Sequence, residues 1–314
     1  MNHRKLSSVS YPRAFFMLIL IVFLTACASP AAYREPITRF QQASTIVIEG
    51  ARTTYGTANK GERNAEIDKH VEQKKRITLR DLNSEDLRLL GPDDVVARMK
   101  TLDALAKHSE LLLALASSDA PQKAKDAANS LDEAIISLNS ALGNASTDDF
   151  KNTAGGFAAI AGEVVQLVLN AKITEALDKA IVVSEDQVKL LLRLLRTEMG
   201  ALYERKRAQI SNERVAAVDA YNDLVAQPNP NSANLAKVAE QIKSVEDSWD
   251  NLPQLLGAGP GLDAMAQAHQ KLVDYAKSPK NPQDFAALVE AVDAFVTRAK
   301  IIADAIKSIQ ATQR

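Results

Sequence analysis

The placement of proline constrains this chain more than any other feature of its sequence. No proline occurs between residues 122 and 227, and those after residue 36 stand at 92, 121, 228, 230, 253, 260, 279 and 282. Proline is tolerated in the first turn of an α-helix but breaks the interior. Pro92, Pro121, Pro260 and Pro282 therefore stand where helices could begin, and the intervals between prolines allow helices of many turns.

Within these intervals the apolar residues recur every three or four positions, as they do on one face of an amphipathic helix. The stripe after Pro282 is the clearest, with Phe285, Leu288, Val292, Phe295, Ala299, Ile302 and Ile306. Aromatic residues make up only 5% of the chain, which suits closely packed helices. The sequence predicts an all-α fold, an elongated helical bundle of about seven or eight helices. Two of them are expected to be long, over about 37–75 and 185–226.

Both long segments contain a charged stretch, so we expect them to lie side by side and to extend beyond the core as a hairpin. The alternative is that the first helix breaks near Gly61. Ser184 and Gln187 have the spacing of a capping box, which predicts the start of the second long helix. That helix begins with heptad steps, but no coiled-coil seam continues beyond three heptads; the residues are Val188, Leu192, Leu195, Met199 and Leu202.

The N-terminus has the parts of an export signal. Arg4, Lys5 and Arg13 precede an uninterrupted apolar run over residues 14–24, which is too short for a stable transmembrane helix. The run ends in the sequence Leu-Thr-Ala before Cys27, the only cysteine of the chain. This ending resembles the lipobox of bacterial lipoproteins, in which a small residue precedes a cysteine that is acylated and becomes the new N-terminus.

The resemblance implies that residues 1–26 are a signal peptide, that Cys27 carries a diacylglycerol and an N-acyl chain, and that residues 27–36 are a short tether. Residues 37–314 would form the helical domain. Ala28 stands where an aspartate would retain the protein at the inner membrane. The resemblance therefore favours the inner leaflet of the outer membrane of a Gram-negative bacterium, facing the periplasm. Without the signal peptide the net charge is about −4, which does not suit a nucleic-acid partner.

Residues that could carry catalysis form no recognisable constellation. Glu66 and His70 share a helix face, but they lie in the most charged stretch of the chain, so an ion pair explains them better than a metal site. The motifs of serine hydrolases, P-loops and zinc proteases do not occur in the sequence. We therefore expect no enzyme activity, no metal and no cofactor beyond the covalent lipid on Cys27.

Residues 153–171 form the least charged segment after the signal, and the segment allows two interpretations. It is either the central helix of the core, with Gly155 and Gly162 allowing a neighbour to approach closely, or a helix that inserts into a membrane. Phe157 and Ile160 belong to its apolar surface. Insertion would cost about 3 kcal/mol for the charge of Glu163, which favours the core helix.

Trp249, the only tryptophan, is flanked by acidic residues near a helix end. It is either an anchor in a protein interface or a cap on the end of the bundle. Together these features predict a membrane-tethered lipoprotein that acts as a protein-interaction or structural module, with a protein partner or a second copy bound. The alternatives are a pore-type protein that inserts residues 153–171, and an enzyme or small-ligand binder without a recognisable motif.

Overall fold

A computed structural model describes residues 33–82, 90–117, 121–170, 173–250, 252 and 258–312. The predicted signal peptide (1–26), Cys27 and most of the tether lie outside these residues. In the described part of the chain there are eleven helices and no β-strand. They are α1 (Arg34–Thr57), α2 (Lys60–Glu72), α3 (Leu79–Leu82), α4 (Pro92–Ala116), α5 (Pro121–Asn144), α6 (Asp148–Asn170), α7 (Ile173–Val183), α8 (Glu185–Val225), α9 (Ser232–Asp250), α10 (Ala258–Lys277) and α11 (Pro282–Thr312).

The prediction of an all-α bundle is confirmed, and proline sets several of its helix boundaries. Pro92, Pro121 and Pro282 are the first residues of α4, α5 and α11, and Pro260 lies in the first turn of α10. The helix count exceeds the expected seven or eight because two segments divide. The long first helix divides into α1 and α2, and residues 148–183 hold two helices, α6 and α7.

The first helix ends early because the chain turns at Asn59. The amide of Asn59 donates from Nδ2 to the carbonyl of Leu90 at 2.7 Å, and its Oδ1 accepts from the Leu90 N–H at 3.2 Å. This pair of hydrogen bonds holds the end of α1 beside the start of α4. The break lies two residues before Gly61, close to the alternative that the sequence left open.

One apolar core joins α1, α4, α5, α6, α7, α10, α11 and the first half of α8. Phe40 of α1 packs against Phe295 of α11, with ring centroids 5.5 Å apart. Phe40 also packs against His269 of α10 at 6.3 Å. Near the end of α10, the ring of Tyr275 lies 5.0 Å from that of Tyr33, just before α1, and 5.8 Å from that of Phe285, near the start of α11. Helix α10 therefore runs antiparallel to both α1 and α11.

The second half of α8 leaves this core and packs against α9. Ile210 and Ala217 are buried there, but neither belongs to the core cluster, and no residue of α9 is fully buried. We call residues 200–225 together with α9 the arm. The first long helix is interrupted, because α1 ends at Thr57 and α2 begins at Lys60, and α9 folds back along the second half of α8.

Ser184 separates α7 from α8, as its position predicted, but not by forming a capping box. Its side chain caps no backbone N–H of α8; the hydroxyl instead donates back to the carbonyl of Ala180 at 2.8 Å. Gln187 packs against Gly156 of α6. The start of the helix was predicted correctly, whereas the interaction that defines it was not.

Candidate functional site

Apart from Leu202, which packs against the edge of the core, the arm lies outside the apolar core of the described structure. Its two helices are joined by an ion pair of good geometry, in which Arg214 donates from Nε and Nη2 to the two oxygens of Glu246 at 2.8 and 2.9 Å. The guanidinium also lies over the ring of Trp249, 4.4 Å from its centroid. Bidentate pairing and cation–π stacking each add geometric specificity to a two-helix contact.

Trp249 is thus half-buried beneath Arg214, near the C-terminal end of α9. In this position the indole helps to hold the two arm helices together. It is not an isolated exposed anchor, although part of its surface remains accessible to a partner.

The arm also carries exposed apolar side chains that its own helix pair does not cover. Val215, Val218 and Val225 of α8 are 60%, 42% and 50% exposed. They lie on a different side of α8 from Ile210 and Ala217, which are the buried positions. The arm therefore has exposed apolar surface that takes no part in the core.

The base of the arm is fixed to the core by a buried charge network. Arg98 of α4 is 1% exposed and donates to Glu198 of α8, from Nη2 to Oε1 at 2.6 Å and from Nε to Oε2 at 3.2 Å. Its guanidinium carbon lies 4.0 Å from the ring centroid of Phe150 in α6. Tyr55 at the end of α1 donates to the same Glu198 at 2.7 Å. Three helices thus meet at the carboxylate of Glu198, and α6 packs on the guanidinium that binds it.

The electrostatics of this network fit a structural role. Burial and the charge of Glu198 raise the pKa of the Tyr55 hydroxyl well above its ordinary value, so the hydroxyl stays a donor. Burial alone would raise the pKa of Asp94, but hydrogen bonds from Ser146 and the charge of Arg98 hold it below its usual value. Asp94 therefore stays ionised beside Arg98, 3.4 Å from Nη1.

A second buried polar cluster lies near the middle of the bundle. His108 and His269 have ring centroids 6.2 Å apart, and the hydroxyl of Ser184 lies 3.3 Å from His108 Nε2. Burial lowers the pKa of His108 to about 3 and that of His269 to about 4. Both rings are therefore neutral near pH 7, and both are closed off from substrates because they are 2% and 3% exposed.

An open groove of about 500 Å³ lies between α1, α4 and α5. Its charged lining residues largely neutralise one another. Arg52 pairs with Asp103, and Lys107 Nζ lies 2.7 Å from Glu110 Oε2. A groove lined by compensated surface pairs offers no excess charge to select a ligand.

Glu66 and His70 contact each other on one face of α2, with Oε1 and Nε2 3.1 Å apart. Over the described ranges, the histidine, cysteine and acidic side chains form no group of three or more that could hold a metal ion.

The segment predicted at 153–171 lies on α6, apart from residue 171, which is outside the described residues. Phe157 is buried, whereas Gly155, Ile160 and Gly162 are partly buried and Glu163 is exposed. The close approach expected at Gly162 does not occur, because no atom lies within 4 Å of where a Cβ would stand. It occurs instead at Gly156, where the Gln187 Oε1 would lie 2.7 Å from a Cβ.

By length and composition, α6 is also the one helix in the described part of the chain that could cross a membrane. Of its most apolar window, 39% is buried inside the bundle. Its buried face packs against α5, α7 and α8. The same helix thus passes a compositional test for membrane insertion and contributes Phe150, Phe157 and Val164 to the core.

No protein-family model, curated protein or solved structure matches this chain. The assignment of a function therefore depends on the geometry of the chain alone.

Proposed function

We propose that the protein is a lipid-anchored envelope protein that uses the arm to bind a protein partner on the periplasmic side of the outer membrane. The observation that supports this proposal is the position of the arm, which projects from the end of the bundle opposite to the start of α1. The lipid on Cys27 fixes one end of the molecule, and the other end carries the surface that the core leaves unused.

The start of α1 marks the tethered end. Tyr33 follows Cys27 by six residues, which span at most about 21 Å when extended. The Tyr33 hydroxyl donates to Asp178 of α7 at 2.5 Å, and Lys280 between α10 and α11 pairs with the same carboxylate. The residues around this cluster would therefore lie close to the membrane surface.

α8 begins at the same end and runs away from it. Glu185 at its first turn accepts from Gln270 at 3.0 Å and from Lys277 at 2.5 Å, near the end of α10. Eleven residues later Arg196 donates to Asp263, near the start of α10. Because α10 runs antiparallel to α1, α8 runs parallel to α1, away from the tether.

The length of α8 sets how far the arm reaches. Its 41 residues correspond to about 60 Å, of which residues 200–225 account for about 40 Å beyond the Arg98 network. Tethering raises the effective concentration of the arm towards partners in the same envelope layer. The short tether and the buried network at Glu198 together restrict where the arm can be, so binding costs less conformational entropy.

The proposal is tested by photo-crosslinking the full-length protein in its native envelope, with a photoreactive residue at Val215 on the exposed apolar surface of the arm. The matched control has the same residue at the exposed Glu290 of α11. We expect a defined protein to crosslink at position 215 and not at 290. A Cys27→Ala protein should leave the membrane fraction and give a lower yield.

Equal crosslinking at the two positions, or none at position 215, would contradict a binding role for the arm. Retention of the Cys27→Ala protein in the membrane fraction would contradict the lipid anchor. The two parts of the proposal can therefore fail separately.

Membrane insertion by residues 153–171 is the second candidate, and the apolar composition of α6 favours it. Insertion would require α6 to leave α5 and α8 and to expose the core positions that it now fills. A small-ligand binder would be expected to use the groove between α1, α4 and α5, whose compensated charges give it less support.

A further inference from the structure

We infer that two copies of this protein pair side by side through the outer face of α8 in the arm, as a short parallel coiled coil. The inference extends the proposed function, since it relies on the lipid anchor and on the arm. The surface that carries it consists of Val215, Val218, Asn222 and Val225, and we call it the arm stripe.

The arm stripe has the spacing of a coiled-coil seam. Its residues follow one another at steps of three, four and three, so Val215 and Asn222 take the a positions of a heptad and Val218 and Val225 take the d positions. Ala208 and Ser211 continue the same steps towards the core with small side chains. This spacing fits a helix as the occupant, because knobs-into-holes packing requires a second set of residues with the same period.

The stripe is distinct from the contact between α8 and α9. Ile210 and Ala217 are the buried positions of the arm half of α8, and both lie outside the stripe. Asn222 is exposed, like the three valines. The arm therefore has one seam that α9 fills and a second seam that nothing in the described chain covers.

Asn222 favours a second copy as the occupant. A single asparagine at an a position is best matched by another asparagine at the same height, and it fixes register in two-stranded coiled coils. In a parallel pair, the g position of one helix faces the following e position of the other. The g position here is Arg214, whose guanidinium is already bound to Glu246 and lies over Trp249 of α9, so the match between the two copies depends on Asn222.

The anchor supplies the remaining requirement, which is the parallel orientation. Two copies tethered to one leaflet both direct α8 away from the membrane, and a two-fold axis along the membrane normal then brings their stripes together. Two heptads bury too little surface for a strong dimer in solution. Confinement to one membrane supplies the effective concentration that the contact lacks.

Disulfide crosslinking of the full-length lipoprotein in vesicles tests this pairing directly. The thiol of Cys27 is consumed by the lipid, so Asn222→Cys leaves one free thiol, at an a position where the two copies would meet. Ala220→Cys is the matched control, because Ala220 is exposed on the same helix but faces away from the stripe. We expect mild oxidation to crosslink the Asn222→Cys protein at least tenfold faster than the Ala220→Cys protein.

Adding Val218→Lys to Asn222→Cys should reduce the rate at least tenfold, since it places two like charges in the seam. Val218 is already exposed, so this change should leave the thermal unfolding midpoint unaltered. Equal rates for the two single-cysteine proteins would overturn the pairing, as would a disulfide from position 222 only to a different envelope protein. In the second case the arm would still bind a partner, and the proposed function would stand without the pairing.

Discussion

The rings of His108 and His269 lie in the middle of the bundle, where protonation of either would place a charge in an apolar core. Phe157 packs against His108 at 6.1 Å and Phe40 packs against His269 at 6.3 Å. His108 Nδ1 and His269 Nε2 are buried without a hydrogen-bond partner. The nearest acid that acts on His269 is Glu185, and its charge raises the pKa of that ring only in part against the effect of burial.

The sign of the pH effect follows from the direction of these shifts. Both folded pKa values, about 3 for His108 and about 4 for His269, lie below the ordinary value of 6.5. At a pH between the folded and the unfolded pKa values, the two rings bind protons in the unfolded chain but not in the folded chain. The stability that the neutral rings provide is therefore complete above pH 6.5 and is lost as the pH falls below it.

The magnitude can be worked from the same values. A solution at pH 5 is 1.5 pH units below the unfolded pKa of each histidine, which is 6.5. Each unit of difference between pH and pKa corresponds to about 1.4 kcal/mol of stability. The two rings together should then lower the free energy of unfolding by about 4 kcal/mol relative to pH 8. Typical domains have only about 5 to 15 kcal/mol in total, so a loss of this size is easily measured.

Urea unfolding followed by circular dichroism at pH 8 and pH 5 measures this loss. For the wild type and for the double variant His108→Leu, His269→Leu, we compare the fall in unfolding free energy from pH 8 to pH 5. We expect this fall to be smaller in the double variant by at least 3 kcal/mol. His70→Gln, which removes a histidine outside the core, should not reduce the difference. An unchanged pH dependence in the double variant would refute the assignment of acid sensitivity to these two rings.

Three further predictions concern the Arg98 network, the close contact at Gly261 and the alternative role of α6. Arg98→Leu removes the cation from the buried Asp94 and the partly buried Glu198 and should cost about 3 to 5 kcal/mol of unfolding free energy; a loss below 1 kcal/mol in urea unfolding would contradict a structural role for this network. A Cβ on Gly261 would lie 2.5 Å from the Ile302 side chain, so Gly261→Ala should cost about 1 to 3 kcal/mol in the same assay. The full-length protein should leave dye-filled anionic vesicles intact, and leakage that Ile160→Asp abolishes would instead support membrane insertion.

The boundaries of the helices could be predicted from the sequence because they depend on local chemistry. Pro92, Pro121 and Pro282 each begin a helix, since the missing N–H and fixed φ of proline suit the first turn. The end of α1 could not be predicted in the same way. It depends on the hydrogen bonds between Asn59 and Leu90, which are 31 positions apart and meet only once α4 has packed against α1.

The sequence also did not indicate which helices pack against one another. The apolar residues Ile210 and Ala217 recur with helical spacing and are buried in the structure, but their spacing does not indicate which helix covers them. The buried polar groups were missed for a related reason. Arg98 and His108 interrupt an otherwise apolar pattern, and polar residues in such a pattern are ordinarily placed on the solvent side.

The valines of the arm stripe illustrate how two seams can be confused with one. Val215 and Val218 lie between the positions that face α9, so a periodicity argument that seeks one stripe per helix assigns them to solvent. Their heptad spacing is nevertheless visible in the sequence. It indicates a binding surface only once the structure shows that α9 leaves these valines exposed.

The direction of α1 decides what the arm can reach. Because α1 leads away from the proposed anchor and α8 runs parallel to it, the turn at the end of the arm lies farthest from the membrane. That turn contains Gln227, Pro228, Asn229, Pro230 and Asn231, which are residues suited to water. If α8 ran antiparallel to α1, the same polar turn would point towards the bilayer, where its unsatisfied amides would be costly. The polarity of this turn is therefore consistent with the orientation on which both the proposed function and the pairing of two copies depend.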